Sequence, residues 1–262
     1  MKKIFPIFLF LMCLGFSDYS EGKTAKDNWE EYRSSHFIIF YKDVPQDFIK
    51  SVENSAEGYY QEITRNLGLV REQSWTWDKR VKIYIYQDAD DYVESSKQAG
   101  WSHGSASFLE REIHTYPAAN GFFDSILPHE LGHIIFREFV GSNSFIPTWL
   151  DEGVAMYQEK ARRWGSNKDV KKAMEENKFI PLRELSMVKL YSNTDKEFVE
   201  LFYAEAASIV YYLMTELGEY KFLDFCRELK SGKSFEGALK SSYIRFKDTD
   251  DLNKSWIEYL KR

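Results

Sequence analysis

Two histidines four residues apart, with a glutamate directly after the first, stand at His129, Glu130 and His133. On a helix such a pair lies one above the other on one face, so both imidazoles can offer a nitrogen to a single ion at the ~2.0–2.1 Å that zinc takes. Glu130 falls about 100° round the helix from His129. That puts it beside an ion rather than on it, where a base stands to take a proton from a metal-activated water. Nineteen residues beyond His133 comes Glu152, inside a run that starts a second helix. Two His and one Glu, with one position left open, is the ligand set of a hydrolytic zinc site rather than of a closed structural one. The expected cofactor is Zn2+, held by His129, His133 and Glu152.

The surrounding sequence supplies elements to position these groups. Asp124 or Ser125 can cap the first helix, Pro128 is tolerable in its first turn, and Gly141 should end it. Ile134, Ile135, Phe136 and Phe139 should bury it. Gly153 and Ala155 carry almost no side chain, which predicts an approach of the second helix close enough for Glu152 to reach the ion. Upstream, residues 35–41 read as a buried strand. From Pro45, the spacing of Phe48, Val52, Ala56, Tyr59, Ile63 and Leu67 predicts an amphipathic helix ending near Gly68. Residues 79–87 alternate as a second strand, and Asp88 should cap a short helix that stops by Gly100. Residues 104–116 read as one or two further strands, stopped by Pro117, whereas residues 18–34 read as polar and loose.

Beyond residue 160 the pattern is helical throughout. A charged stretch over 160–178 leads to a short turn at Pro181. A long helix over 195–217 then carries Phe202, Tyr203, Ala206, Ile209, Val210 and Leu213 on one stripe and is closed by Gly218. Shorter helices should follow near 219–230 and 234–243. A last one, from Asp250 or Asp251, carries Leu252, Trp256 and Leu260. No linker rich in Pro, Gly or Ser and no internal repeat interrupts the chain. The fold class expected is therefore α+β, in one domain over 18–262. A sheet-and-helix lobe should reach to about residue 140, an all-helical lobe should follow, and the ion should lie in the cleft between them.

A chain of 262 residues with 44% hydrophobic and 17% aromatic content can fill a sizeable core. Its net charge of −6, with no basic block beyond the first three residues, favours neither nucleic acid nor an anionic membrane as partner. Residues 1–17 read as a secretory signal: Lys2 and Lys3, an apolar run from Ile4 to Phe16, and small residues at Gly15 and Ser17 that suit cleavage before Asp18. That run of thirteen residues is short of the roughly 20 that a bilayer-spanning helix needs, so no stable span is expected after signal removal. Met12 before Cys13 argues against lipid attachment there, because such signals want a small residue. The expected location is periplasmic or extracellular. Cys226, then the only cysteine, can form no internal disulfide and suits a buried apolar position.

The phrases Leu127-Pro-His-Glu-Leu-Gly-His133, Phe136-Arg-Glu138 and Trp149-Leu-Asp-Glu-Gly-Val-Ala155 resemble the gluzincin metallopeptidases, which include thermolysin-like enzymes and zinc aminopeptidases. They are most similar to small bacterial peptidase MA-like proteins. The resemblance implies a zincin-like fold with a small N-terminal mixed sheet packed on the metal helix. It makes His129, His133 and Glu152 the metal ligands, Glu130 the general base, and Asp151 an acceptor for a ligand histidine. It also implies that 104–116 offers an exposed sheet edge to extended substrate. No counterpart of the element that holds a substrate's free amino group is present, so aminopeptidase activity is not implied.

Tyr203 has two readings. Its hydroxyl could face the ion and stabilise an oxyanion, as gluzincins resemble one another in using a Tyr or His for this, or its ring could simply fill the apolar stripe. Tyr211 and Tyr212 are the substitutes. His36 and His114 lack ligand-spaced partners and read as structural or rim residues, and His103 carries still less signal. The function expected is a secreted zinc-dependent hydrolase acting on peptide or protein substrates. The alternative is a zinc-binding envelope scaffold or partner-binding protein with little or no turnover. Glu130 discriminates, since a structural site has no use for a base beside an open position.

Overall fold

In the three central strands residues on one side are buried and those on the other are half-exposed, and that alternation lies at the heart of a five-stranded sheet. The computed structural model describes residues 29–69, 79–96, 104–107, 109–141, 146–159, 166–191 and 194–262. The signal segment, Gly100, His103 and the start of the charged stretch at 160–165 lie outside these. The sheet runs β1-β2-β3-β5-β4, with β1 at Glu30–Arg33, β2 at Phe37–Tyr41, β3 at Val81–Ile85, β4 at Gly104–Ser107 and β5 at Glu112–Thr115. The central pairs are parallel, with Phe37 opposite Val81 and Ile83 opposite Ile113. Both outer strands run antiparallel to their neighbours, so the sheet is mixed.

Phe37, Ile39, Val81, Ile83, Ile85 and Ile113 are fully buried on the inner face. Helix α1 (Gln46–Asn66) packs against β2 and α3 (Leu127–Val140), placing Ile49, Val52, Ala56, Tyr59 and Ile63 in the core. The buried residue of its first turn is Ile49, and Phe48 instead rests half-buried against Phe122 and Phe123. Asp88 caps α2 (Ala89–Ser96) as expected, its carboxylate accepting from the Asp91 amide at 2.9 Å.

Three sequence expectations need correction. Glu30–Arg33 is a strand, not a loose segment: it is an edge whose charged side chains hide the strand pattern while its backbone pairs with β2. Within the segment 104–116, β4 and β5 pair antiparallel, β5 is internal and β4 alone is the edge. Neither Asp124 nor Ser125 caps the metal helix. A π-turn over Phe122–Ile126, entered through Gly121 at φ +74°, runs straight into α3 and supplies backbone partners that a cap would otherwise provide.

The helical part follows the sequence closely. It comprises α4 (Thr148–Gln158), α5 (Ser166–Glu175), α6 (Leu182–Leu185), α7 (Lys196–Tyr211), α8 (Glu219–Lys230), α9 (Phe235–Ser242) and α10 (Thr249–Leu260). Asp195 caps α7, and a π-turn at Tyr212–Glu216 extends it to Gly218, whose φ of +103° turns the chain. Asp248, two residues before Asp250, caps α10. One hydrophobic cluster connects the sheet through α3, α4 and α7 to Trp256 and Leu260. Cys226 is buried within it. Among the described residues no helix is long and apolar enough to cross a membrane.

Candidate metal centre

Helix α3 is buried on nearly every side, between α1, β4, α4 and α8, so its histidines cannot turn away to water. It crosses α4 at Gly132, where an added Cβ would stand 3.0 Å from the Ala155 Cα. Gly132 adjoins His133, and Ala155 lies one turn from Glu152. The crossing therefore brings the two chemical faces together. Gly153 has another partner: a Cβ there would meet the Ala206 carbonyl oxygen of α7 at 2.3 Å. The expectation that Gly153 admits the metal helix is thus corrected. Ala155 does that, and Gly153 seats α4 on α7.

One atom each from His129, His133 and Glu152 lies within 4.8 Å of the others, and all three residues are buried. The two Nε2 atoms are 3.1 Å apart, and each is 3.6 Å from Glu152 Oε2. The point equidistant from these three atoms lies about 2.0 Å from each, the usual zinc–nitrogen distance. The outer nitrogens are turned to carboxylates. His129 Nδ1 lies 2.8 Å from Glu159 Oε1, and His133 Nδ1 lies 3.3 Å from Asp151 Oδ1. With protons assigned to those Nδ1 atoms, both Nε2 lone pairs and a carboxylate oxygen converge on one point, which calls for a cation. Glu152 Oε2 has no hydrogen-bond partner among the described residues, in keeping with that need. The residues fit a divalent ion.

Electrostatics say the same. Burial pulls His129 down, yet the neighbouring Glu152 and Glu159 carboxylates outweigh it and hold its pKa up at about 9. His133 is also raised, against burial, by Asp151 and Glu152. Burial works to raise Glu152, but the two imidazoles win and hold it down at about 2. Three carboxylates thus surround two histidines, and positive charge is retained there in whatever form is available. Glu130 differs. It is 1% exposed, one of its oxygens has no partner among the described residues, and burial pushes its pKa up to about 7 against the pull of both histidines. It is held beside the cluster without being tied into it.

Asp151 Oδ1 faces His133 Nδ1 without a hydrogen bond between them, and its Oδ2 accepts from Arg137 Nε at 2.9 Å. Arg137 is one turn beyond His133 on α3, so Asp151 bridges two neighbours on the metal helix. Glu159 was missed. It accepts from Ser125 Oγ at 2.5 Å as well as facing His129, and it is 2% exposed. Its signal was the seven-residue spacing from Glu152, two turns along one helix face.

Tyr203 is buried on α7, three residues before Ala206 and so on the side of α7 turned to Gly153. Tyr211 is half-buried, its ring 6.5 Å from Tyr157. The Tyr212 hydroxyl is engaged elsewhere, at 2.7 Å from Ser255 Oγ and bonded by Arg245. His36 pairs with Glu57 at 2.5 Å and stacks on Tyr60. His114 stacks on Tyr84 on the outer face of the sheet, 3.1 Å from the Tyr86 hydroxyl. Both are structural.

Solved structures similar to this chain include native yeast LTA4 hydrolase and yeast LTA4 hydrolase in complex with bestatin. Each is 18% identical with a TM-score of 0.55, covering 87% and 88% of this chain but 38% and 39% of those chains. The likeness is one of fold, and this chain spans under two-fifths of their length. No curated protein sequence matches it. Residues 66–262 match the model of the peptidase MA superfamily, a span that holds both metal-centre helices and most of the rest of the chain. With the His-His-Glu group assembled within that span, the chain belongs to the peptidase MA superfamily, whose gluzincin-type members are metallopeptidase-like hydrolases.

Proposed function

We propose that the protein is an exported zinc-dependent peptidase. His129, His133 and Glu152 hold the zinc, Glu130 is the general base, and Tyr203 donates to the oxyanion. The observation that carries this reading is the convergence of three buried ligand atoms on one point, with an untethered, buried carboxyl next to it. When bound, the ion supplies Lewis acidity, lowering the pKa of a water and polarising a carbonyl.

The chain's own groups do the rest. Glu130 takes one proton from the attacking water as its oxygen bonds to the scissile carbonyl carbon. It then passes that proton to the leaving amine nitrogen as the carbon–nitrogen bond breaks. Glu159 holds the His129 imidazole in the tautomer that leaves Nε2 free, and the Asp151 carboxylate facing His133 Nδ1 favours the same tautomer there. The Tyr203 hydroxyl steadies the charge on the former carbonyl oxygen. Peptide or protein substrates are favoured by the family to which the chain belongs.

The test combines metal analysis of the purified protein with digestion of an unbiased peptide library by wild type and Glu130→Gln. About one zinc per chain is expected in both, with cleavage by the wild type alone. Absence of zinc from the wild type, or near-equal cleavage by the variant, would overturn the assignment.

A further inference from the structure

A hollow of about 320 Å³ opens in the helical part, lined by Leu217, Lys221, Ser242, Tyr243, Ile244 and Arg245. It forms where the chain turns at Gly218 into α8 and where the segment after α9 folds back, the Phe246 amide donating to the Tyr243 carbonyl at 2.8 Å. Tyr243 is 2% exposed. The Ser242 hydroxyl is buried without a hydrogen-bond partner among the described residues.

The chain beside the hollow is unusual in two respects. Ile244, at 92%, and Tyr220, at 86%, are the most exposed large hydrophobic side chains among the described residues. Each is followed directly by a cation that lines the hollow, Lys221 in one case and Arg245 in the other. Among the described residues neither cation forms an ion pair, although the chain carries 41 acidic against 35 basic residues. Arg245 is held in place by Tyr212 and Ser255 through one nitrogen and lies over the Phe246 ring.

Apolar walls and two cations without ion pairs in the lining match a ligand with an apolar body and a single anionic head. A peptide main chain is a poorer match, because no strand edge borders the hollow to pair with it. We propose that this hollow binds a single-chain anionic amphiphile of the fatty-acid type. Its carboxylate lies between Lys221 and Arg245, and its hydrocarbon covers Leu217, Tyr243 and Ile244. The proposal is independent of the activity proposed above.

Calorimetric titration of the full chain with dodecanoate, below its micellar concentration, tests it. Saturable one-to-one binding is expected and should be unchanged after the metal is removed by chelation, which separates the hollow from the metal centre. Lys221→Gln should weaken binding at least about tenfold, the effect of losing one charge-assisted hydrogen bond. Ser242→Leu should abolish it by filling the hollow. Lys221 is exposed and forms no ion pair among the described residues, so Lys221→Gln should melt with the wild type. Ile244→Ser, on a fully solvated side chain, gives a third variant free of folding effects and should weaken binding too. Dodecyl maltoside, which has a neutral head, should not bind. Equal dodecanoate binding by wild type and the variants would overturn the proposal. So would binding to phosphatidylglycerol vesicles without binding to monomeric dodecanoate, since that would make the patch a membrane-docking surface.

Discussion

Glu152 and Glu205 are both buried carboxylates, on helices α4 and α7 that pack against each other, yet their surroundings push them in opposite directions. Glu152 meets two imidazoles and is held down at about 2. Glu205 meets one backbone N–H, that of Ile180 at 2.9 Å, and burial pushes it up to about 8. Its second oxygen has no partner among the described residues. Burial alone does not distinguish a working carboxylate from an idle one. What distinguishes them is whether neighbouring groups are arranged to keep the charge, as they are around Glu152 and are not around Glu205.

If that contrast is right, removing a carboxylate should be costly in one place and favourable in the other. The largest effect should come from Glu152→Ala, which takes away one of three ligands. Zinc measured in the purified protein should fall from about one per chain to near none, and full retention would break the contrast at its root. Next is Tyr203→Phe, which leaves the ring and removes only the hydroxyl. The value of kcat should fall by about 10²–10³ with KM, bound zinc and Tm nearly unchanged. An unchanged kcat would make Tyr203 a core residue and direct the same substitution to Tyr211, the hydroxyl of Tyr212 being held by Ser255 and Arg245.

Glu159→Gln should lower zinc affinity about 10–100-fold in competition with a chelator, because His129 loses the charged acceptor behind it. Unaltered affinity would remove Glu159 from the centre. The smallest effect, of opposite sign, is expected from Glu205→Gln. The folded pKa of Glu205 lies above its unfolded value, so its contribution to stability is complete below about pH 4 and is lost as pH rises through about 8. The Gln variant escapes that loss. Its Tm should match the wild type at low pH and exceed it by several °C near pH 8, a gain of a few kcal/mol at most. A pH-independent difference would mean that Glu205 does not titrate in this range.

Much of this arrangement could be read from the chain. His129, Glu130, His133 and Glu152 announce themselves because a helical repeat and a fixed residue type must coincide for a metal. The helices after residue 166 follow from apolar stripes that tertiary packing did not override, as Leu252, Trp256 and Leu260 illustrate. Glu159 was hidden because its relation to His129 crosses between two helices, and only the depth of α4 against α3 decides that a residue seven on from Glu152 still faces the site. Strand β1 was hidden for the reverse reason. Its order comes from backbone pairing at a sheet edge, which leaves little trace in side-chain type. The roles of Gly132 and Gly153 could be guessed as close approach, but not which helix approaches which.

Gly153 sets a mechanical tolerance. With the Ala206 carbonyl 2.3 Å from where a methyl would sit, the spacing between the helix that carries Glu152 and the helix that carries Tyr203 is fixed by backbone touching backbone. The next nearest neighbour is the short, branched Val210 side chain, 2.6 Å from the same point, which has little freedom to absorb an error. An alanine at 153 adds no charge and removes no reactive group, yet it must wedge the two helices apart. The chemistry of this protein is therefore exposed to change at a residue that takes no part in it.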